Sequence, residues 1–141
     1  MKNKISSAWK GSKKIRKQRK YRFKSPLHVK HKLIAAHLSK ELRKKYGKRA
    51  MPLRKGDSVK VMRGQFKRKE GKVAVINTKK MKVFVEGIQK ARKEGTKINV
   101  LLEPSNLMIL SLNLDDKKRA KILERKPVGK SEKAEIKGGG K

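Results

Sequence analysis

The chain has 141 residues with 44 Lys and Arg against 11 Asp and Glu, a net charge of +33. That length holds one small domain plus extensions, and self-repulsion of this size is offset by a polyanion, with nucleic acid the first candidate. Absence of cysteine excludes disulfides, cysteine-ligated zinc and thiol chemistry, and no apolar run approaches the roughly 18 residues of a membrane span.

The charge is uneven along the chain. Residues 1–55 carry 21 cations and one acid, residues 56–112 carry 13 and five, and residues 113–141 carry ten and five. The first ten residues lack an apolar stretch, so no secretory leader is expected, and neither end carries a lipidation pattern. Residues 1–24 are polar and basic, with Trp9, Tyr21 and Phe23 interspersed and no hydrophobic period. They are expected to form an extended basic arm that orders on its partner. Its aromatics either stack on bases or sugars, or, for Tyr21 and Phe23, pack on the neighbouring helix.

Ser25-Pro26 predicts a helix start, a capping side chain followed by proline at the first helical position. Leu27, Ile34, Leu38 and Leu42 give a partial apolar stripe. Ser39 is a second capping candidate, Gly47 a helix end, and Pro52 closes the helical region, so residues 25–52 are expected to hold one or two short helices. His28, His31 and His37 are read as surface or packing positions of this region, with no metal site.

From Asp57 the period changes to two. Val59 and Val61, Val73 and Val75, Met81 with Val83 and Val85, Ile98 with Val100 and Leu102, and Leu107 with Ile109 mark five short strands. Five strands separated by turns predict a small barrel over residues 53–112, not parallel βαβ units. Val59, Val61, Val73, Val75, Val83, Val85, Ile98 and Val100 are its expected core. The first connection, Arg63 to Gly71, carries four cations between glycines, and Asn77-Thr78-Lys79-Lys80 is a basic tight turn. Asp115-Asp116 before Ala120, Ile122 and Leu123 predicts a short helix within 113–126, its acids complementing the dipole. Residues 127–141 are expected to be a disordered tail.

Gly56-Asp57, Val59, Val61, Arg63-Gly64, Gly71, Val73 and Val75 resemble a KOW motif. The flanks extend the likeness: Ser25-Pro26-Leu27-His28, the run from Leu38 to Gly47, Arg49 to Asp57, Pro104-Ser105-Asn106, and Leu112 to Lys126, ending in Ile122-Leu123-Glu124-Arg125-Lys126. Over roughly residues 16–126 the chain looks like the archaeal and eukaryotic form of large-subunit ribosomal protein L-twenty-four, whose eukaryotic counterpart is L-twenty-six, and more archaeal than eukaryotic. Lys67-Arg68-Lys69 stands where small or acidic residues often occur in that family. The resemblance implies a mainly β protein with an SH3-like barrel around the KOW hairpin, bound to the 5′ region of large-subunit rRNA. It further implies early action in assembly, a place near the peptide tunnel exit, neighbouring large-subunit proteins as partners, a cytoplasmic location on the ribosome, no enzyme activity and no cofactor. No homo-oligomer is expected.

The expected RNA-binding residues are Lys13, Lys14, Arg16, Lys17, Arg19, Lys20, Tyr21, Arg22 and Lys24 in the arm. His28, Lys30, Lys32, Arg43, Lys44, Arg49 and Arg54 follow in the helical region. Arg63, Gly64, Lys67, Arg68, Lys69, Gly71, Lys72, Lys79 and Lys80 complete the set on the barrel. A KOW-bearing transcription elongation factor is the alternative, but that class puts an α/β domain before the KOW, and residues 1–55 are too basic and too poor in strand pattern for one. No phosphate-binding glycine loop, nucleophile elbow or metal-ligand cluster supports an enzyme.

Overall fold

The computed structural model describes residues 11–125. In chain order these form α1 (Ile15–Lys24), α2 (Leu27–Leu33), β1 (Ala35–Leu38), α3 (Lys40–Tyr46), β2 (Ala50–Pro52), β3 (Ser58–Val61), β4 (Glu70–Asn77), β5 (Lys82–Val85), β6 (Gln89–Ala91), β7 (Lys97–Asn99), a 3-10 turn (Pro104–Asn106), β8 (Leu107–Ser111) and α4 (Lys117–Glu124). The fold class is as expected: strand-rich and barrel-like, with helices at both ends. Six strands make one mixed sheet in the order β2-β1-β8-β3-β4-β5, and β6 with β7 make a separate two-stranded ribbon. The expected tail, 127–141, and Trp9 lie outside the described residues.

Alternation builds the core as the sequence predicts for most strands. Val59 and Val61 of β3, Val83 and Val85 of β5, and Leu107 and Ile109 of β8 are buried. They join Ile34, Ala36, Leu38, Met51, Leu53, Val73, Ile88 and Leu123 in one cluster. Two residues expected in the core are not there. Val75 is 56% exposed because the β4–β5 register shifts between Val73 and Val75, and a bulge of one residue reverses which face the next side chain takes. Ile98 is 40% exposed because β7 pairs only with β6, away from the six-stranded sheet. Val100 is only half-buried, packed at the edge of the core, and Leu102 forms a single bridge to Val83.

The first fifty residues differ more. The expected extended arm is helical from Ile15 to Lys24, although α1 buries none of its residues. Ser25 does not cap α2: its hydroxyl donates to the Tyr21 carbonyl at 2.6 Å, closing α1 instead. Leu27 is exposed. The expected helical region is split by β1, which runs parallel to β8 through His37–Met108 and Leu38–Ile109. It also contains β2, which is antiparallel to β1. Pro52 is tolerated because β2 is the edge strand of the sheet. Ser39 does cap α3, accepting from the Leu42 N–H at 3.3 Å, and Gly47 ends it at φ +64°.

Candidate nucleic-acid interface

Each group of expected RNA-binding residues has a definite place. Arg16, Lys17, Arg19, Lys20, Arg22 and Lys24 lie on α1, all exposed, with Lys13 and Lys14 just before it. No acid occurs in that helix. Tyr21 is half-buried, and with Leu33 of α2, Gln18 and Arg22 it lines a groove between the two helices. Phe23 is 79% exposed. The two aromatics therefore separate: Tyr21 turns toward α2 while Phe23 turns to solvent. His28 and Lys32 are exposed on α2, and Lys30 is half-buried.

The connection from β3 to β4 is a closed, preshaped loop. The Val61 N–H donates to the Lys69 carbonyl at 2.9 Å, and the Val61 carbonyl accepts from the Arg68 N–H at 2.8 Å. Phe66 packs against the core from inside the loop, with the Lys69 ammonium 5.5 Å from its ring centroid. Arg68 takes a positive φ of 71°, uncommon for a long side chain and tolerated where the surrounding bonds over-determine it. Arg63, Lys67, Arg68 and Lys69 are exposed on a loop whose backbone these bonds tie down. Gly64, at φ +90°, supplies the turn.

Gly71 has a packing role: a Cβ there would meet the Glu86 carbonyl at 2.5 Å, so β4 and β5 approach closely only with glycine. Lys72 is exposed beside it. Lys79 and Lys80 are exposed in the β4–β5 turn, which Asn77 closes by accepting from the Lys80 N–H at 2.9 Å. That turn lies at the opposite end of the β3–β4 hairpin from the Arg63–Lys69 loop, because Lys60 pairs with Glu70 and β4 runs on past Ser58 to Asn77. The structure does not bring these two groups together.

Two other expected residues are partly occupied. Arg43 donates from Nε to the Leu38 carbonyl at 2.7 Å, tying α3 to β1. Arg54 lies 3.4 Å from the Asp116 carboxylate. Arg49 is exposed, and only its backbone carbonyl is engaged, accepting from the Leu38 N–H at 2.9 Å. Lys44 is exposed on α3. His37 is held below its ordinary pKa of 6.5, first by burial and then by the Arg43 charge.

Sequence reasoning missed the chain's buried ion pair. Asp57, fully buried, receives Arg119 Nη1 at 2.6 Å and Nη2 at 2.7 Å. It also accepts the backbone N–H of Arg54 at 2.8 Å and of Asn113 at 3.0 Å. Arg119 donates as well to the carbonyls of Asn113 and Pro52. The pair bolts α4 to the turn before β3. Both residues sat in the sequence as ordinary charges, 62 positions apart, and the one local signal was Gly56-Asp57 at the mouth of the motif. The β6–β7 ribbon, with exposed Lys90, Arg92, Lys93 and Lys97, is a further basic projection that alternation alone did not single out.

Charge pairing is segregated. Among the described residues the acids Asp57, Glu70, Glu103 and Asp116 pair with Arg119, Lys60, Lys82 and Arg54. No cation of α1, α2 or the Arg63–Lys69 loop has an acidic partner among them. A surface of that kind attracts a polyanion along its length and, among the described residues, offers no metal-ligand group for chemistry.

Residues 12–126 match the family model that describes the eukaryotic ribosomal proteins L-twenty-six together with their archaeal L-twenty-four counterparts. The chain is also similar to the large ribosomal subunit protein uL24 of Korarchaeum cryptofilum, 44% identical over 117 residues, which cover 83% of this chain and 89% of that protein.

Proposed function

The chain belongs to the archaeal and eukaryotic ribosomal protein family that its residues 12–126 match, and from that premise we propose how it is held on its subunit. It is a structural constituent of the large ribosomal subunit, not an enzyme. It grips the 5′ region of large-subunit rRNA, joins early in assembly and sits near the peptide tunnel exit beside other large-subunit proteins. The supporting observation is the segregation of charge. Among the described residues the cations of α1, α2 and the Arg63–Lys69 loop are unmatched by acids and nearly all exposed, while Glu70, Glu103 and Asp57 of the barrel are already paired.

Most of the affinity comes from phosphates meeting Lys and Arg, with release of counterions. Specificity comes from the shape of the folded RNA and its unpaired bases, because the deep groove of an RNA helix is closed to side chains. The preshaped Arg63–Lys69 loop suits shape recognition, since its tied backbone fixes where four cations leave the chain.

Binding of the full chain to a transcript of the 5′ region of large-subunit rRNA, compared with an equally long 3′ transcript at matched salt, tests this reading. The expected result is a preference for the 5′ transcript of at least about ten-fold, with a salt slope reflecting roughly six to ten phosphate contacts. Equal affinity for both transcripts, or a preference for duplex DNA, overturns it.

A further inference from the structure

We propose that Phe23 is a stacking platform for one unpaired RNA base, with Arg16, Arg19 and Lys20 of the same helix face holding the phosphates that flank that base. This rests on the rRNA-binding reading above and adds to it the kind of nucleotide recognised and the residue that recognises it.

The placement carries the argument. Arg16, Lys20 and Phe23 stand at i, i+4 and i+7 along α1, with Arg19 four residues before Phe23, so the four share one stripe of the helix. Gln18, Tyr21 and Arg22 occupy the other side and line the groove against Leu33. The stripe therefore faces away from the protein body. Phe23 contributes nothing to the core: it is 79% exposed, the most exposed of the large apolar side chains among the described residues. An exposed aromatic ring forgoes the free energy that burial would give it, and nothing in the described fold recovers it.

The occupant follows from charge and shape. Three cations share the stripe with the ring and the helix carries no acid, so an apolar protein surface laid along that stripe would bury cations with Phe23. A nucleotide answers both needs, a flat π-face for the ring and an anionic backbone for the cations. It must be unpaired, because the faces of bases inside a duplex are already stacked on one another.

The test uses the full chain and two probes, a single-stranded oligoadenylate of about twelve nucleotides and an RNA duplex of the same length. Phe23→Ala is expected to weaken binding to the single strand by about 5- to 150-fold and to leave duplex binding within about two-fold. The salt slope should not change, because no phosphate contact is removed. Phe23→Tyr should retain affinity, and Phe23→Leu, apolar but without a π-face, should behave as Phe23→Ala does. A tryptophan placed by Phe23→Trp, in a chain whose single native tryptophan is removed by Trp9→Phe, should be quenched by the single strand and not by the duplex.

Equal losses on both probes, a Phe23→Leu variant that binds like the unaltered chain, or an unquenched tryptophan overturns the proposal. So does a Phe23→Ala variant that binds RNA normally yet fails to enter the large subunit, which would make Phe23 a protein contact. The unaltered chain is assayed alongside on the 5′ rRNA transcript. Loss of stacking with that binding intact defeats only the Phe23 proposal, whereas absence of that binding defeats the rRNA reading.

Discussion

Arg119 shows how much one side chain decides here. It is buried, and its guanidinium meets Asp57 in a two-point ion pair. Removing one partner leaves an uncompensated buried charge, which costs about 3–5 kcal/mol. Arg119→Met should therefore lower unfolding free energy by about that amount in urea titration. Arg119→Lys should recover little, since an ammonium cannot reproduce the planar fork. His37 gives a pH prediction. Its folded-state pKa lies below 6.5, so the unfolded chain binds more protons in the window between the folded value and 6.5. Stability should therefore rise with pH through that window and fall on acidification below about 6.5. Denaturation midpoints measured across this range should lose that component in His37→Gln, and an unchanged profile would remove His37 as its source. Neither residue's role was legible in the sequence, because burial of a charge depends on what folds over it.

At the scale of elements, the period of two was legible from Asp57 onward for β3, β5 and β8. The β3 and β5 valines are buried as alternation predicts, and Val59→Ala should cost about 1–4 kcal/mol. Val75→Ala, on the outward side of the β4 bulge, should cost no more than about 0.5 kcal/mol. Equal losses in thermal unfolding would mean the bulge is misplaced. The segment Ile34-Leu38-Leu42 was ambiguous for a physical reason. A spacing of four fits both a helix turn and two strand repeats, and the discriminating position was Ala36, too small to weigh in either pattern. The strand it belongs to pairs in parallel with β8, a partner some seventy residues away that no local signal announces. Helix α1 was missed because it has no buried face to give it a period. Its own backbone bonds must hold it against repulsion between its cations, and a helix of 10 residues is marginal alone. Circular dichroism should therefore show helicity rising when RNA neutralises those charges. Amide exchange across Ile15–Lys24 should slow on RNA binding, and exchange equally slow without RNA would contradict this.

For the molecule as a whole, composition was the most legible property and the least specific. The net charge of +33 calls for a polyanion and names none. The resemblance around the barrel narrowed that polyanion to large-subunit rRNA, and the match over residues 12–126 places the chain in the ribosomal family. The structure adds an order to the charge. Cations without an acidic partner among the described residues run along α1 and α2 and recur on the Arg63–Lys69 loop, and the Asp57–Arg119 pair holds α4 against the barrel. The expected site was legible as a set of basic residues but not as a surface. Sequence cannot say that Lys79 and Lys80 lie at the far end of the hairpin, or that Arg43 is partly spent on the Leu38 carbonyl. In the proposed binding mode the grip on large-subunit rRNA lies in the helices before the barrel and in the first barrel loop. Crosslinks between RNA and protein on the intact large subunit, mapped to residues, test it most directly. Crosslinks to 5′-region rRNA should concentrate in residues 13–54 and 63–69; crosslinks confined to residues 82–125, or to RNA outside that region, would place the grip elsewhere.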